Sequence, residues 1–405
     1  MIKCEFMRRI ILGLGCFLCL LSCEKKPNVV FYNANVVDVE KGEIVPGMTV
    51  SVKDGRIMKI AKASSQIKEG ERDLTGLYLM PGLIDSHAHL GNCGGMGWLE
   101  DAVKSYLKEG VTTVRDAGGD MRPVKDYKAQ LDSGTIVGPD VYFSSFWAGT
   151  SYFFRRPRMD TKGYPTENAP WNQCISDTAT LEDLEKMVIE AKEYGCTGLK
   201  LYSGLSFEML QKIVPLCHKH GLKAWGHAET RLADAMEVVK AGVETVSHIY
   251  LIAGFKNSYS SEYRKRCFEP EEVAHRDSIY KEMIARGTIL DATITVSSSM
   301  KFLYRMVNEA YRAGVKIDAG TDVIHRNTIF HKELNLLADS CGMSIPDVLR
   351  AATVVGAEVI GQEGNLGVIR EGAEADLLIL RSNPLESLAA LQQREALYID
   401  GKEVK

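Results

Sequence analysis

The 405-residue sequence lacks several features that mark particular classes of protein. Its formal net charge is −4, and its Lys and Arg residues are scattered rather than clustered, which argues against nucleic-acid binding. No internal repeat and no long low-complexity segment is present, which excludes a repeat protein and an extended disordered arm. The hydrophobic content of 45% and the charged content of 25% instead favour one large globular unit, or a large domain with a smaller companion.

A long apolar run of the kind that spans a membrane is also missing at the N-terminus. The run Ile10–Leu21 follows Arg8 and Arg9 and is short for a transmembrane helix, but it suits the core of a signal peptide. It leads into Leu20-Leu21-Ser22-Cys23, which resembles the lipobox of bacterial lipoproteins. The sequence therefore predicts a signal peptide over residues 1–22 and a lipidated Cys23 that anchors the chain at the bacterial cell envelope, on the periplasmic or outer-membrane face. An ordinary cleaved signal peptide is the alternative.

Cysteines with paired spacing are absent from the rest of the chain. Of the ten cysteines, four lie in or just after the predicted signal, and the others are spread from Cys93 to Cys341. Although an exported protein can form disulfides, this spacing favours free, buried thiols for most of them.

The two ends of the chain share a β-rich texture that differs from the middle. Residues 28–80 and 363–405 contain short β-prone runs separated by turn sequences such as Lys-Asp-Gly-Arg. Neither end is long enough to bury a core alone, so we expect one small β-sandwich domain built from both termini. Residues 81–362 alternate eight candidate strands with helical periods, which predicts an inserted (β/α)8 barrel of the TIM type in the α/β class. An open doubly wound sheet is less favoured, because no Gly-rich phosphate turn is present.

The first predicted barrel strand ends in two histidines, within YLMPGLIDSHAHLG at residues 78–91. Side chains at positions i and i+2 of a strand project from the same face, so His87 and His89 would point the same way. Such a pair is either a metal-binding pair or two partly exposed histidines at a strand end.

Other predicted strands carry polar residues at the same end. They are Lys200 on the fourth strand, His227 on the fifth, His248 on the sixth and Asp322 on the eighth. Each residue alone has an ordinary structural explanation, such as a histidine at the edge of the core or a lysine whose amine reaches solvent. Their common position at the carboxyl ends of barrel strands, where barrel enzymes carry their chemistry, favours a functional site.

Longer motifs extend this pattern along the chain. They are VKDGRI, PGLIDSHAHL, GVTTVRDAGG, GLKLY, GHAE, VSHI, AGTDV and LGVIREGAEADLLILRSNPL. In this combination the chain resembles the amidohydrolase superfamily, in its imidazolonepropionase-like and Xaa-Pro-dipeptidase-like branch, over nearly everything after the signal.

The resemblance implies a site for two divalent metal ions. His87 and His89 would bind one metal with Asp322, and His227 and His248 would bind the other. Lys200, carboxylated on its amine, would bridge both metals. Mixed nitrogen and oxygen ligands suit zinc best and also admit manganese, iron, cobalt or nickel.

The activity implied by the resemblance is hydrolysis of a carbon–nitrogen bond in a small amide by metal-bound hydroxide. Asp322 would act first as the base and then as the acid. A dipeptidase of the Xaa-Pro type is the alternative, followed by a lactonase or a phosphotriesterase. A metal-binding lipoprotein without catalysis is disfavoured because both Lys200 and Asp322 are present.

Four further residues are candidate substrate contacts. Tyr202 shares the face of Lys200, His325 and His331 follow the eighth strand, and Arg264 lies in a long connection after the sixth. Each has an alternative, which is packing at the barrel mouth for Tyr202 and a solvated charge for Arg264. The partners expected from the sequence are a small amide or dipeptide substrate and a membrane, while a homo-oligomer is left open.

Overall fold

The computed structural model describes residues 28–92, 96–155, 168–254, 260–323 and 329–404. The predicted signal peptide and Cys23 lie outside these residues, and the lipid anchor stays a prediction. Among the described helices, none is long and apolar enough to cross a membrane.

Strands from both ends of the chain form one eight-stranded mixed sheet, as the sequence predicts for a small β domain. The strands of this terminal sheet are β1 (Val29–Asp38), β2 (Glu43–Lys53), β3 (Arg56–Lys62), β4 (Arg72–Asp73), β5 (Tyr78–Pro81), β15 (Leu377–Leu380), β16 (Arg394–Ile399) and β17 (Lys402–Val404). Their order is β17-β16-β15-β5-β1-β2-β3, with β4 beside β1. Strand β5 joins the two halves, because it pairs parallel to β1 and antiparallel to β15. The rings of Phe31 and Tyr398 meet edge to face in its core, with centroids 4.9 Å apart.

The middle of the chain forms the predicted barrel of eight parallel strands. In chain order they are β6 (Leu83–Ala88), β7 (Val111–Asp116), β8 (Asp140–Gly149), β10 (Gly198–Leu201), β11 (Lys223–His227), β12 (Thr245–Ser247), β13 (Ile289–Asp291) and β14 (Ile317–Asp318). A short extra strand, β9 (Asn172–Ile175), pairs with β8. The first and last strands meet through hydrogen bonds from Ser86 N to Ala319 O at 3.0 Å and from Asp322 N to His87 O at 2.8 Å. These bonds nearly close the barrel at the place where the first and eighth strands bring His87 and Asp322 together.

Helices cover the outside of the barrel. They are α1 (Met96–Lys108), α2 (Met121–Asp132), α3 (Thr150–Arg155), α4 (Leu181–Tyr194), α5 (Phe207–Lys219), α6 (Ala235–Lys240), α7 (Ile249–Ile252), α8 (Ser261–Arg266), α9 (Pro270–Arg286), α10 (Phe302–Ala313), α11 (Phe330–Asn335), α12 (Ile345–Arg350) and α13 (Gly356–Ile360). Single π-helical turns, Leu336–Ser340 and Ala351–Val355, follow α11 and α12, and 3₁₀ turns lie at Leu90–Asn92 and Leu388–Gln392.

Local sequence explains why these helices begin and end where they do. At the start of α4, Thr180 and Asp183 form a reciprocal capping box, and at its end Gly195 takes a left-handed conformation with φ of 110°. Between these ends, Leu184, Val188 and Ala191 recur at helical spacing and are buried. The caps determine where α4 begins and ends, and the apolar stripe is the face that the helix buries.

The apolar run that starts at Leu79 divides at Gly82 into two strands of two different sheets. The Gly82 amide donates to the carbonyl oxygen of Asp376 in the terminal sheet, at 2.8 Å. A Cβ at position 82 would lie 2.1 Å from Oγ1 of Thr112, so no larger residue fits. The chain therefore passes from the terminal sheet into the barrel at this glycine, which sets the path of the strand that carries His87.

Candidate active site

The structure brings five of the six predicted strand-end ligands into direct contact at one end of the barrel. Ligand atoms of His87, His248 and Asp322 all lie within 4.8 Å of one another. His89 joins them, with its Nε2 3.0 Å from Oδ1 of Asp322. His227 joins from the other side, with its Nε2 3.0 Å from Nε2 of His248. These four histidines and Asp322 are called the ligand group below.

Two histidines of the ligand group are oriented by hydrogen bonds at Nδ1. Nδ1 of His89 donates to the carbonyl oxygen of Gly118 at 2.8 Å, and Nδ1 of His87 bonds to the carboxylate of Asp291. A carbonyl oxygen can only accept, so His89 carries a proton on Nδ1 and directs its Nε2 at Asp322. A carboxylate on the far nitrogen of a histidine is a common support for a metal ligand.

His248 is oriented in the same way by a threonine. Its Nδ1 lies 2.7 Å from Oγ1 of Thr293, and that hydroxyl donates its own proton to the carbonyl oxygen of Ala292 at 2.9 Å. The oxygen of Thr293 therefore accepts the Nδ1 proton of His248. Nε2 of His248 is left with a lone pair that faces Nε2 of His227.

The backbone around the ligand group is strained at three residues that are not glycine. The φ angles are 76° at His248, 45° at Thr293 and 54° at Asp322. Left-handed conformations are uncommon outside glycine, and a β-branched residue such as Thr293 is an outlier there. Strain of this kind persists only where the surrounding structure holds it, and it is concentrated at functional sites.

Burial keeps most of these histidines in the neutral form that can bind a metal. Desolvation lowers the pKa of His248 to about 4, and it lowers the pKa of His87 and His227 well below the ordinary value. His89 differs, because the hydrogen bond and charge of Asp322 outweigh burial and raise its pKa. Burial likewise opposes ionisation of Asp322, but the nearby histidines outweigh it and lower the pKa of that carboxyl.

The sixth predicted ligand, Lys200, lies buried in β10 with its amine near this group. Its Nζ donates to Oγ of Ser247 at 2.9 Å, and Ser247 directly precedes His248. Burial, aided by the charge of Arg115, lowers the pKa of Lys200 to about 7. This shift favours the uncharged, nucleophilic form of the amine.

Asp291, at the end of the seventh barrel strand, is a site residue that sequence reasoning missed. Its Oδ2 accepts hydrogen bonds from His87, from Oγ of Ser247 at 2.9 Å and from Nη2 of Arg115 at 3.0 Å. One carboxylate thus connects the supports of His87 and Lys200. The available signal was an acidic residue inside an apolar run that predicts a strand, where a carboxylate is costly to bury without partners.

The four predicted substrate contacts lie in different places. The ring of Tyr202 is 4.0 Å from the ring of His227, and it packs with Phe146 and Tyr152 at 4.9 and 5.2 Å. Tyr202 therefore lies next to the ligand group. His325 lies outside the described residues.

The other two predicted substrate contacts have different neighbours. His331 donates its backbone N–H to Glu109 at 2.8 Å, and the exposed Arg264 lies over the ring of Phe302 at 5.8 Å. Among the described residues, neither has a hydrogen bond, ion pair or ring contact with the ligand group.

A nearly closed (β/α)8 barrel with histidine nitrogens and a carboxylate converging at the carboxyl ends of its strands defines a barrel protein with a candidate divalent-metal site. The model of the amidohydrolase family matches residues 78–404, and the chain belongs to that family. It is a metal-dependent hydrolase that acts on carbon–nitrogen bonds, and the resemblance drawn from the sequence motifs is confirmed.

Individual relatives are more distant. The chain is 24% identical to an ochratoxinase of Aspergillus niger, over 93% of this chain and 88% of the relative. Among solved structures, a prolidase in complex with N-methylphosphonate-L-proline superposes with a TM-score of 0.73 at 22% identity, covering 93% of this chain and 99% of the other. A Xaa-Pro dipeptidase with bound methionine in its active site gives the same TM-score and coverage at 20% identity. At these identities the two structures establish the fold.

Proposed function

We propose that this protein hydrolyses the amide bond of a small molecule at a centre for two divalent metals. The observation that carries the proposal is the convergence of His87, His248 and Asp322, with ligand atoms within 4.8 Å of one another. In this proposal His87, His89 and Asp322 would hold one metal, and His227 and His248 would hold the other. Lys200, once carboxylated, would offer oxygen ligands to both.

The chemistry of the donor set supports a bound cation. Nε2 of His248 presents a lone pair, and Nε2 of His227 lies 3.0 Å from it. Two imidazole nitrogens in this arrangement need a proton or a cation between or beside them. On the other side, His89 and His87 place Nε2 at 3.0 and 3.5 Å from the same oxygen of Asp322. Imidazole nitrogens and a carboxylate in this arrangement are ligands that zinc and related metals prefer.

Lys200 fits the bridging role through its lowered pKa of about 7. A neutral amine can attack carbon dioxide, so that a nitrogen–carbon bond forms and a proton leaves the nitrogen. The resulting carbamate is an anion, and bound divalent metals would balance its charge, because the buried guanidinium of Arg115 is already paired with Asp291. Carboxylation would thus replace a buried amine that cannot ligate by a group that can.

The residues of the site can then carry out the proton transfers of amide hydrolysis. Divalent metals bound here would supply Lewis acidity, which polarises a carbonyl group and acidifies water. The lowered pKa of Asp322 favours its ionised form, and its side chain is 20% exposed. Its carboxylate would accept a proton from the attacking water and pass it to the leaving amine nitrogen.

The proposed substrate class is supported by the relatives and by the aromatic rings beside the site. The solved prolidase holds a proline-based phosphonate and the solved dipeptidase holds methionine, both of which are small molecules. The rings of Phe146, Tyr152 and Tyr202 next to His227 favour a substrate with an apolar group beside the amide. Dipeptides of the Xaa-Pro type are the second candidate, supported by the phosphonate in the prolidase.

The first experiment loads the full chain with zinc and bicarbonate, measures its metal content, and screens it against N-acyl amino acids and dipeptides. We expect about two metals per chain and hydrolysis of a narrow subset. Asp322→Asn should lower kcat/KM by at least about 10²-fold, because the proton transfers lose their base and acid. Asp318→Asn is the matched control from the same strand region.

Two outcomes would count against the proposal. One is a chain that retains no metal under any loading condition. The other is Asp322→Asn with unchanged turnover, which would remove Asp322 from the chemistry. Hydrolysis confined to dipeptides with C-terminal proline would select the second candidate over other amides.

A further inference from the structure

Glu333 is a buried acidic residue outside the ligand group whose position the proposed chemistry does not explain. It lies in α11, after the eighth strand, and it is fully buried. Its Oε1 accepts the backbone N–H of Ile294 at 2.9 Å, and its Oε2 accepts the backbone N–H of Thr295 at 2.7 Å. A carboxyl group that is costly to bury is thus used to hold two successive amides of the connection that follows β13.

Those two amides directly follow the strained residue Thr293. A β-branched residue with φ of 45° does not keep this conformation on local preference alone. The bonds from Glu333 restrain the backbone immediately after it, so that the turn cannot relax to an extended conformation without breaking both. The strain at Thr293 and the burial of Glu333 therefore have a common explanation.

The side chain that this turn presents is the support of a ligand. Oγ1 of Thr293 accepts the Nδ1 proton of His248 at 2.7 Å and donates to the carbonyl oxygen of Ala292. The backbone of His248 is itself attached to this strand end, because its N–H donates to the carbonyl oxygen of Asp291 at 2.8 Å. Rotation of the Thr293 backbone would move the hydroxyl away and release the tautomer and orientation of the imidazole.

We propose that Glu333 is a positioning residue for His248, acting through the turn at 293–295 and the hydroxyl of Thr293. The contact sequence runs from the carboxyl of Glu333 to the amides of Ile294 and Thr295, then to Thr293 and to Nδ1 of His248. Its consequence for metal binding rests on the proposed function, whereas its consequence for the imidazole proton does not.

The test is a double-mutant cycle on the full chain. Glu333→Gln keeps the shape but places an amide NH₂ against one of the two backbone donors, and Thr293→Val removes the hydroxyl while keeping the branched shape. Thr293→Ser keeps the hydroxyl and serves as the rescue variant. For each protein we would measure zinc affinity by chelator competition, the Nδ1 proton of His248 by NMR in the metal-free state, and the melting temperature. The resonance is assigned by its loss in His248→Gln.

Both Glu333→Gln and Thr293→Val should weaken zinc binding by about 10- to 100-fold, because each removes a contact that orients His248. Losses of this size are found for other residues that orient metal-bound histidines. The double variant should be no weaker than the more severe single variant, because both changes break the same connection. The His248 Nδ1 proton should exchange rapidly or vanish in both variants and return in Thr293→Ser.

Three results would overturn the proposal. The first is an unchanged NMR signal of the His248 Nδ1 proton in Glu333→Gln. The second is an unchanged zinc affinity in Glu333→Gln together with a lowered affinity in Thr293→Val. The third is a double variant in which the two losses of zinc affinity multiply. Where Glu333→Gln does not fold, Glu333→Asp takes its place, because it keeps the acid and withdraws it by one methylene. A wild-type chain that binds no zinc but shows the expected proton pattern would contradict the proposed function and support the positioning role.

Discussion

At the scale of single residues, the histidines of the ligand group are supported by buried carboxyl groups that are not ligands themselves. Asp291 bonds directly to His87, and Asp85 accepts the backbone N–H of His87 at 3.1 Å. Asp116 accepts the backbone N–H of Gly118 at 2.8 Å, and the carbonyl of Gly118 supports His89.

Burial raises the pKa of Asp85 to about 7 and that of Asp116 to about 6, so their placement costs free energy. Such acids are expected where fixed ligand orientation has a function, because orientation is what their hydrogen bonds provide.

The contribution of Asp291 can be isolated by substitution. In Asp291→Asn the amide oxygen can take the place of Oδ2, but the negative charge that strengthens the bonds from His87, Ser247 and Arg115 is lost. We expect zinc affinity to fall by about 10- to 100-fold, with a parallel loss of kcat/KM. Chelator competition measures the first effect and steady-state kinetics the second.

Asp318 provides the matched control, since it is the partner of Asp291 on the adjacent strand. Burial and the charge of Asp291 raise the pKa of Asp318 well above its ordinary value, which favours the neutral form of this side chain. Asp318→Asn should therefore change metal affinity little. Equal losses in the two variants would show that the effect comes from disturbing the barrel interior and not from His87.

At the scale of elements, the eighth strand is short, and the segment that follows it closes the barrel and carries one of the predicted ligands. β14 comprises only Ile317–Asp318, yet the next residues complete the barrel and carry Asp322. Gly320 lies in this segment against the first and seventh strands. A Cβ there would lie 2.5 Å from Oδ1 of Asp291 and 2.6 Å from Cβ of His87.

Gly320→Ala should consequently displace either the closing segment or the pair formed by His87 and Asp291. We expect a destabilisation of about 1–3 kcal/mol, as for other overpacked interiors, together with weaker zinc binding. Urea unfolding and chelator competition measure the two effects. Gly97→Ala in α1 is the control, because nothing lies within 4 Å of an added Cβ there. Normal zinc affinity in Gly320→Ala would mean that the site tolerates movement of this segment.

At the scale of the whole molecule, partly or fully buried carboxyl groups lie where the barrel meets the terminal sheet. Asp140 begins β8 of the barrel, and Asp376 directly precedes β15 of the sheet. Burial raises the pKa of Asp140 to about 6, and the charges of Glu374 and Asp400 add to the shift. Burial and the charge of Asp140 raise the pKa of Asp376 well above its ordinary value.

These shifts predict how stability depends on pH. The carboxyl of Asp140 ionises near pH 3.8 in the unfolded chain and near pH 6 in the folded chain. Between these values the folded state holds a proton that the unfolded state has released, so the free energy of unfolding falls as pH rises. Asp140→Asn removes this contribution and should become more stable relative to wild type from pH 4 to pH 6, with a constant difference above.

Urea unfolding of both proteins across pH 4 to 8 would measure this difference. The exposed Asp126→Asn variant is the control for the loss of one carboxylate. If the free energies of unfolding of Asp140→Asn and wild type changed with pH in the same way, Asp140 would not contribute to the pH dependence of stability.

The order of the elements and the ligand chemistry were determined by the sequence alone. Strands and helices differ in apolar period, so eight alternations and two β-rich ends could be recognised without coordinates. The ligand residues were recognisable because strand direction places all carboxyl ends of a parallel barrel on one side. His87, His227 and Asp322 could therefore be grouped although they are far apart in sequence.

The tertiary structure alone decided which groups orient those ligands. Asp291 is 204 residues from His87, and Glu333 is 39 residues from Ile294, so no local period connects them. The neighbours of His331 and Arg264 were likewise not predictable, because the course of a connection depends on what it packs against. Local patterns specify secondary structure and its direction, whereas hydrogen bonds between distant segments are specified only when the closed barrel brings their donors and acceptors within about 3 Å.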